Sequence, residues 1–233
     1  MSSAPLWVVK LGGSLWRAPE LRRWLEILAA ARRLRVVIVP GGGPFADAVR
    51  DAQPALGFGD RAAHRMALLA MEQYGTALAD LEPRLSPARS LADLRGRPSP
   101  TVWMPLPLAE DADVAESWDV TSDSLAVWLA GALGATCAVL VKSAPLPDAA
   151  VPVTRLVADG VVDPALPGRM ARFGGAVWCV SREDHRRFAR ALDRGNPGGT
   201  RLVPAAEGQD ADHRDGDHRD ADGRDGDGRN AYG

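Results

Sequence analysis

The sequence is short of lysine. Its 28 basic residues comprise arginines and only two lysines, Lys10 and Lys142. Both lysines follow apolar runs that predict buried strands, residues 6–9 and 138–141. An ammonium group is a compact charge with three donors, whereas a guanidinium is a planar fork, so a site built for one rejects the other. Because the chain uses arginine elsewhere, we predict functional roles for both lysines.

The chain also has few cysteines and a small net charge. The two cysteines, Cys137 and Cys179, each stand in an apolar run, which favours core residues in a reducing compartment over a disulfide or a metal pair. The net charge is −2, and residues 205–233 hold nine acidic residues and four arginines, a net of −5. The remainder therefore carries about +3, which is too little to indicate a nucleic-acid partner.

No long hydrophobic run is free of interruption. Residues 124–141 contain no charge and come near the length of about 18 residues that a membrane span needs. Gly131 and Gly134 break the run, and its end is β-branched, so it predicts a buried helix followed by a buried strand. Residues 1–7 show no secretory signal. We expect a soluble, cytoplasmic protein with no membrane partner.

Two glycine-rich turns open the chain. An apolar strand pattern at residues 6–9 leads through Lys10 to Gly12, Gly13 and Ser14. A helical pattern follows at 19–33, then a strand at 35–40 that ends in Gly41, Gly42 and Gly43. This order predicts a parallel βαβ unit with both turns at one edge of the sheet. Glycine turns expose backbone N–H groups, which favour a polyphosphate.

A basic first turn follows the second glycine turn. We predict a helix over residues 61–81, capped by Asp60, with Arg61 and His64 near its start. Its predicted buried face comprises Met66, Leu69, Ala70, Gln73 and Leu78. Helix N-termini favour anions, so Arg61 and His64 are candidate phosphate contacts, although a solvated basic turn is the alternative.

One acidic residue is placed to orient the two lysines. Residues 117–124 lead into the apolar helix, and Thr121, Ser122 or Asp123 could act simply as its cap. A carboxylate that faces two lysines would instead hold them in position, and we choose Asp123 for that role. Further along, residues 151–162 predict a β-hairpin, 163–168 a loop, and 199–203 a closing strand.

The end of the chain differs in composition from the rest. Residues 205–233 are dominated by Asp, Gly, Arg and His, with arginines every five residues from Arg214 to Arg229. Almost nothing there can be buried, so we expect a disordered tail. The predicted division is a domain over 1–204 and a low-complexity tail over 205–233.

Three motifs in order resemble the amino acid kinase superfamily. They are residues 10–14, the glycines that follow Pro40, and residues 121–126, with 199–203 similar to the last strand. The resemblance covers roughly residues 5–204. It implies an α/β fold, a three-layer α/β/α sandwich with a central, mostly parallel open sheet. ATP would lie over the C-terminal half and the acceptor over the N-terminal half.

The resemblance also implies roles for the candidate residues. Lys10 would bridge the phosphates that are exchanged, Gly12 and Gly13 would cradle them beside Ser14, and Asp123 would position the lysines. Gly41–Gly43 would approach the acceptor. The reaction would be in-line phosphoryl transfer from ATP accompanied by Mg²⁺, and we expect a homo-oligomer.

The sequence departs from the superfamily at two places. A late lysine common in the superfamily is absent from residues 167–173, which offer only Arg169 and Arg172. The usual Asp-x-Asp-Gly after the fifth strand is replaced by residues 142–145. Either Lys142 does the work of the second lysine or the ATP half is altered.

Residues 57–75 indicate the class of acceptor. Residues 57–61 resemble the phosphate-reading segment of uridylate kinases, and 63–75 resemble the branch that phosphorylates an aminomethylfuran phosphate in methanofuran biosynthesis. The leading hypothesis is a kinase that converts a small phosphomonoester to its diphosphate. The alternatives are a uridylate-kinase-like or acyl-phosphate-forming kinase, or a non-catalytic nucleotide- or oxyanion-binding or storage protein.

Overall fold

The computed structural model describes residues 4–97, 100–110 and 113–204. The predicted tail, 205–233, lies outside these residues. The strands are β1 Leu6–Leu11, β2 Arg35–Pro40, β3 Ser86–Ala88, β4 Thr101–Trp103, β5 Cys137–Lys142, β6 Ala150–Pro152, β7 Ala176–Ser181 and β8 Thr200–Val203. The helices are α1 Leu21–Ala29, α2 Gly43–Leu56, α3 Asp60–Leu81, α4 Leu91–Gly96, α5 Leu106–Glu110, α6 Ser122–Leu133, α7 Val153–Ala158, α8 Leu166–Phe173 and α9 His185–Arg194.

The strands form one open sheet in the order β3-β4-β2-β1-β5-β7-β8-β6. Neighbouring strands are parallel except β7 and β8, which are antiparallel. The first strand lies between β2 and β5, and its residues are all buried. Since parallel strands end at one edge, the turns after β1, β2 and β5 meet there. The predicted βαβ unit and mostly parallel sheet are confirmed.

Two hydrophobic cores cover the two faces of the sheet. Alternate residues of β1 point to opposite faces, so Val8 packs in one core and Val9 in the other. The first core contains residues of α6 and α8, and the second contains residues of α1 and α9. Helices therefore lie on both sides of the sheet, as in a three-layer α/β/α sandwich.

The uncharged segment 124–141 divides into α6 and β5, as predicted. Both pack into the sheet and its cores, and Cys137 and Cys179 are buried free thiols. Within the described ranges, none of the helices has the combination of length and hydropathy that crossing a membrane requires.

Four local predictions are wrong in whole or in part. The predicted loop at 163–168 is too long, because helix α8 begins at Leu166. Residues 151–162 do not form a hairpin: Val153–Ala158 is helix α7, because Val153 and Leu156 gain burial in the core that outweighs their strand preference. Asp60 does not cap α3, since Gly59 occupies that position and the Asp60 carboxylate accepts a hydrogen bond from Gln53. The predicted buried face of α3 is right for Ala70 and Leu78, which are buried, but wrong for Met66, Leu69 and Gln73, which are exposed. Leu68 and Met71 pack in the core instead.

Candidate active site

One buried carboxylate holds both lysines. The Lys10 Nζ atom lies 2.8 Å from Asp123 Oδ1, and the Lys142 Nζ atom donates a hydrogen bond to Asp123 Oδ2. The three side chains are 7%, 12% and 4% exposed, for Lys10, Lys142 and Asp123 respectively. Lys10 comes from β1, Lys142 from the end of the adjacent β5, and Asp123 from the first turn of α6. The structure thus brings the three predicted residues together at the carboxyl edge of the sheet.

The charges of this group depend on one another. Burial lowers the pKa of Lys10 below its ordinary value and Lys142 acts in the same direction, while Asp123 and Asp163 partly oppose them. Burial alone would raise the pKa of Asp123, but the charges and hydrogen bonds of the two lysines outweigh it and lower that pKa. An ammonium group has three N–H donors, and those of Lys10 and Lys142 that do not bind Asp123 suit the oxygens of a phosphoryl group.

The two glycine turns touch each other. A Cβ atom on Gly13 would lie 2.4 Å from the backbone nitrogen of Gly43, and one on Gly41 would lie 2.2 Å from that of Gly13. Gly43 also has a φ of +55°, a conformation that side chains disfavour. These glycines are therefore required for the contact between the turns, and their backbones form one continuous surface beside Lys10.

Two cavities meet at this surface. A cleft of about 630 Å³ is lined by Lys10, Gly12, Asp123, Lys142 and Ser143, together with residues 157 and 159–164. A second cavity of about 280 Å³ is lined by Gly42, Gly43, Arg50, His64 and the core residues Leu68 and Met71. Gly13, Ser14, Trp118 and Thr121 line both. Ser14 and Ser143 share a hydrogen bond of 2.8 Å between their hydroxyl oxygens, which links the first turn to the end of β5.

The smaller cavity holds an unpartnered polar atom. His64 is 8% exposed, and its Nε2 atom has no hydrogen-bond partner among the described residues. Burial lowers the pKa of His64, and Glu116 opposes this only in part. A neutral imidazole there can offer a hydrogen bond to a bound ligand.

An arginine that the sequence analysis did not single out also lines this cavity. The Arg50 guanidinium lies 4.4 Å from the centre of the Trp118 ring, and the Trp118 Nε1 atom donates a 2.6 Å hydrogen bond to Gln53. Arg50 lies within α2, where nothing in the helical pattern marks it. A cation–π contact of this kind fixes the direction of the guanidinium.

Arg61 and the late arginines lie elsewhere. The Arg61 side chain is 88% exposed, and its Nε atom is 3.8 Å from Glu116, outside the residues that line the smaller cavity. Arg169 and Arg172 on α8 contact Asp113 and border a separate cavity with Trp128. Neither late arginine joins the lysine pair. The second cation beside Asp123 is Lys142.

The N-terminus of α6 is fixed by a residue from the predicted loop at 163–168. The buried Asp163 carboxylate accepts hydrogen bonds from the backbone nitrogens of Thr121 and Ser124, at 2.9 and 3.0 Å. The same carboxylate also accepts a hydrogen bond from the side-chain hydroxyl of Thr121, at 2.8 Å, and one from that of Ser124. The sequence gives no signal for these contacts, because Asp163 is 39 and 42 residues away from its partners.

Comparison with known proteins places this geometry in context. Residues 5–92 match the model of the amino acid kinase family. A curated relative, the (5-(aminomethyl)furan-3-yl)methyl phosphate kinase of Methanocaldococcus jannaschii, is 32% identical over 127 residues. The match covers 52% of this chain and 58% of the relative, so it spans less than two thirds of that protein.

Solved structures extend the likeness to most of the chain. Uridylate kinase from Archaeoglobus fulgidus has a TM-score of 0.65 and 16% identity, covering 84% of this chain and 99% of that one. Aspartate kinase from Synechocystis has a TM-score of 0.55 and 16% identity, covering 88% of this chain and 40% of that one. The chain thus has the amino acid kinase fold, and the resemblance of its sequence to the amino acid kinase superfamily is confirmed.

Proposed function

We propose that this protein is an ATP-dependent small-molecule kinase that converts a phosphomonoester to its diphosphate. The observation that carries the proposal is the Lys10–Asp123–Lys142 group at the junction of two cavities. One cavity can hold the triphosphate of ATP, and the other can hold an acceptor. The shared backbone at Gly13 lies between them, where the transferred phosphoryl group would pass.

The residues act by positioning and charge. An oxygen of the acceptor's phosphate forms a bond to the γ-phosphorus of ATP, the bond from that phosphorus to the β-γ bridging oxygen breaks, and ADP leaves. The attacking oxygen is already anionic, so the step needs no general base. Lys10 and Lys142 would neutralise the charge on the transferred group, and Asp123 would hold them in place. The backbone of Gly12 and Gly13, with Ser14, would cradle the phosphates.

Magnesium would enter with the nucleotide. Mg²⁺ is bound in such sites mainly by substrate phosphates and water, with one or two carboxylates. Both oxygens of Asp123 already contact lysines, so we assign no residue of this chain as a ligand. A homo-oligomeric state and a cytoplasmic location stay predictions.

The small cavity supports a compact phosphorylated acceptor with an apolar body. Trp16, Trp118, Leu68 and Met71 give it aromatic and apolar walls, while His64 supplies a buried polar atom. The activity named for the curated relative, on an aminomethylfuran phosphate, suits this combination. We therefore propose such a compound as the acceptor, in methanofuran biosynthesis.

Two arginines can be compared directly as readers of the acceptor's phosphate. Arg50 lines the cavity, so Arg50→Ala should lower kcat/KM for the acceptor roughly 10- to 100-fold, the value of a charge-assisted contact of about 1.5–3 kcal/mol. Arg61→Ala, predicted from sequence to have this effect, serves as the matched comparison, because Arg61 is exposed outside the cavity. Steady-state kinetics with ATP varied separately tests both, and a loss confined to Arg61→Ala would return the role to Arg61.

A further inference from the structure

The N-terminus of α6 is held by a distant carboxylate, while its own cap is weak. The local cap is Thr121, whose hydroxyl oxygen accepts from the Asp123 nitrogen at 3.4 Å. Asp163 makes four shorter contacts to Thr121 and Ser124, the residues that flank Ser122 and Asp123. A carboxylate at a helix N-terminus is also favoured by the helix dipole.

The same carboxylate belongs to the wall of the larger cleft. Residues 159–164 line that cleft together with Lys10 and Lys142. The Asp163 carbonyl accepts from Leu166 at the start of α8, and Ala165 donates to the Asp119 carbonyl at 3.2 Å. Asp163 therefore connects the cleft wall to the helix that carries Asp123.

We propose that Asp163 is a positioning residue of the phosphoryl-transfer centre, which sets the place of Asp123 between the two lysines by fixing the first turn of α6. This inference rests on the proposed function. Asp163 acts through Asp123, so it is distinct from the residues that would contact the phosphates.

Its charge gives the role a property that can be measured. The charged groups that face Lys10 are Asp123 from α6, Lys142 from β5 and Asp163 from the α7–α8 connection. Burial and Lys142 lower the pKa of Lys10, and both carboxylates raise it. Removing the charge of Asp163 should therefore make Lys10 lose its proton at lower pH. If Asp123 is also displaced from the Lys10 ammonium group, the pKa of Lys10 should fall further, because Asp123 raises that pKa more than Asp163 does.

The scarcity of lysine makes this experiment direct. In full-length protein labelled at lysine ¹³Cε, only Lys10 and Lys142 give side-chain signals, and Lys10→Arg assigns them. We expect Asp163→Asn to shift the titration of Lys10 to lower pH than in the parent. Ser124→Ala is the matched control, because it removes one donor to the carboxylate and keeps the charge. It should leave the Lys10 titration where it is in the parent.

An unchanged titration of Lys10 in Asp163→Asn would overturn the proposal. If that variant does not fold, Asp163→Glu keeps the charge and displaces the carboxylate by one methylene. It should then change the chemical shifts of both lysines, and unaltered shifts would equally overturn the proposal.

Turnover supplies a second readout. Measured with an acceptor that the parent phosphorylates, kcat should be roughly 10- to 100-fold lower in Asp163→Asn, because misplacing a positioned group by about 1 Å has an effect of this size. A kcat equal to that of the parent would contradict the positioning role. If the parent phosphorylates none of the acceptors, the proposed function fails, yet the lysine titration still decides the role of Asp163.

Discussion

Replacing Asp123 with asparagine should destabilise the protein strongly. Asp123 is 4% exposed and contacts two ammonium groups that are 7% and 12% exposed. Asparagine is close in shape, so the main loss is the negative charge. Removing one partner of a buried ion pair typically costs about 3–5 kcal/mol, because the remaining charge is left uncompensated.

That cost should be visible in thermal denaturation. For a domain of this size each kcal/mol moves the melting temperature by about 2–4 °C, so Asp123→Asn should melt roughly 6–20 °C below the parent. Turnover should fall at least ~100-fold as well, since the lysines lose their common anchor. Both are measured at pH 7 by circular dichroism and an ADP-release assay.

A triple variant separates stability from function. Buried ion groups replaced together by apolar residues are often neutral or stabilising. Lys10→Met, Asp123→Leu and Lys142→Met combined should therefore restore most of the melting temperature but no turnover. Our reasoning would be refuted if Asp123→Asn melted within about 2 °C of the parent, because the charges would then be compensated in some other way.

Three further predictions concern Lys10, the glycine turns and the smaller cavity. Lys10→Arg should lower kcat at least ~100-fold while the protein stays folded, since a planar guanidinium cannot take the place of the ammonium. A near-normal kcat would contradict this. Gly13→Ala should force the glycine turns apart and cost about 1–3 kcal/mol of unfolding free energy, whereas Gly96→Ala, where a Cβ meets nothing within 4 Å, should cost far less; equal costs in urea denaturation would disprove the contact. Because burial lowers the pKa of His64, its contribution to stability is present above about pH 6.5 and is lost as the pH falls towards the folded pKa. Between about pH 7.5 and 5, the melting temperature of the parent should therefore fall by more than that of His64→Gln. If the difference between the two melting temperatures stayed constant over this range, the buried, neutral imidazole would be contradicted.

Much of the fold follows from local patterns in the sequence. Apolar runs that end in lysine or proline predict β1, β2 and β5, and the glycine turns between elements predict parallel connections. The hairpin at 151–162 failed because strand preference competes with tertiary packing, and α7 buries Val153 and Leu156 instead. The predicted face of α3 is only partly right, because exposed Met66 and Leu69 satisfy the helical period as well as buried Ala70 and Leu78 do.

The candidate site was predictable where residue types are unusual. Lys10 and Lys142 stand out in a chain that otherwise uses arginine, and Asp123 follows from the need for a carboxylate between them. Asp163 and Arg50 could not be predicted in the same way. Asp163 binds its partners from a loop that is distant in sequence. In the sequence, Arg50 resembles any exposed residue of an amphipathic helix, and only the structure shows its contact with the Trp118 ring.

The central claim, that a phosphate oxygen of the acceptor takes the phosphoryl group of ATP, can be tested by ³¹P NMR. The full-length protein would be incubated with ATP, Mg²⁺ and, separately, an aminomethylfuran phosphate, UMP and acetylglutamate, with Lys10→Arg as the inactive control. We predict that a diphosphate signal and equimolar ADP will form with a phosphomonoester, and that neither will form with Lys10→Arg. Turnover of acetylglutamate but of neither phosphomonoester, or ATP binding without turnover of any acceptor, would contradict the account.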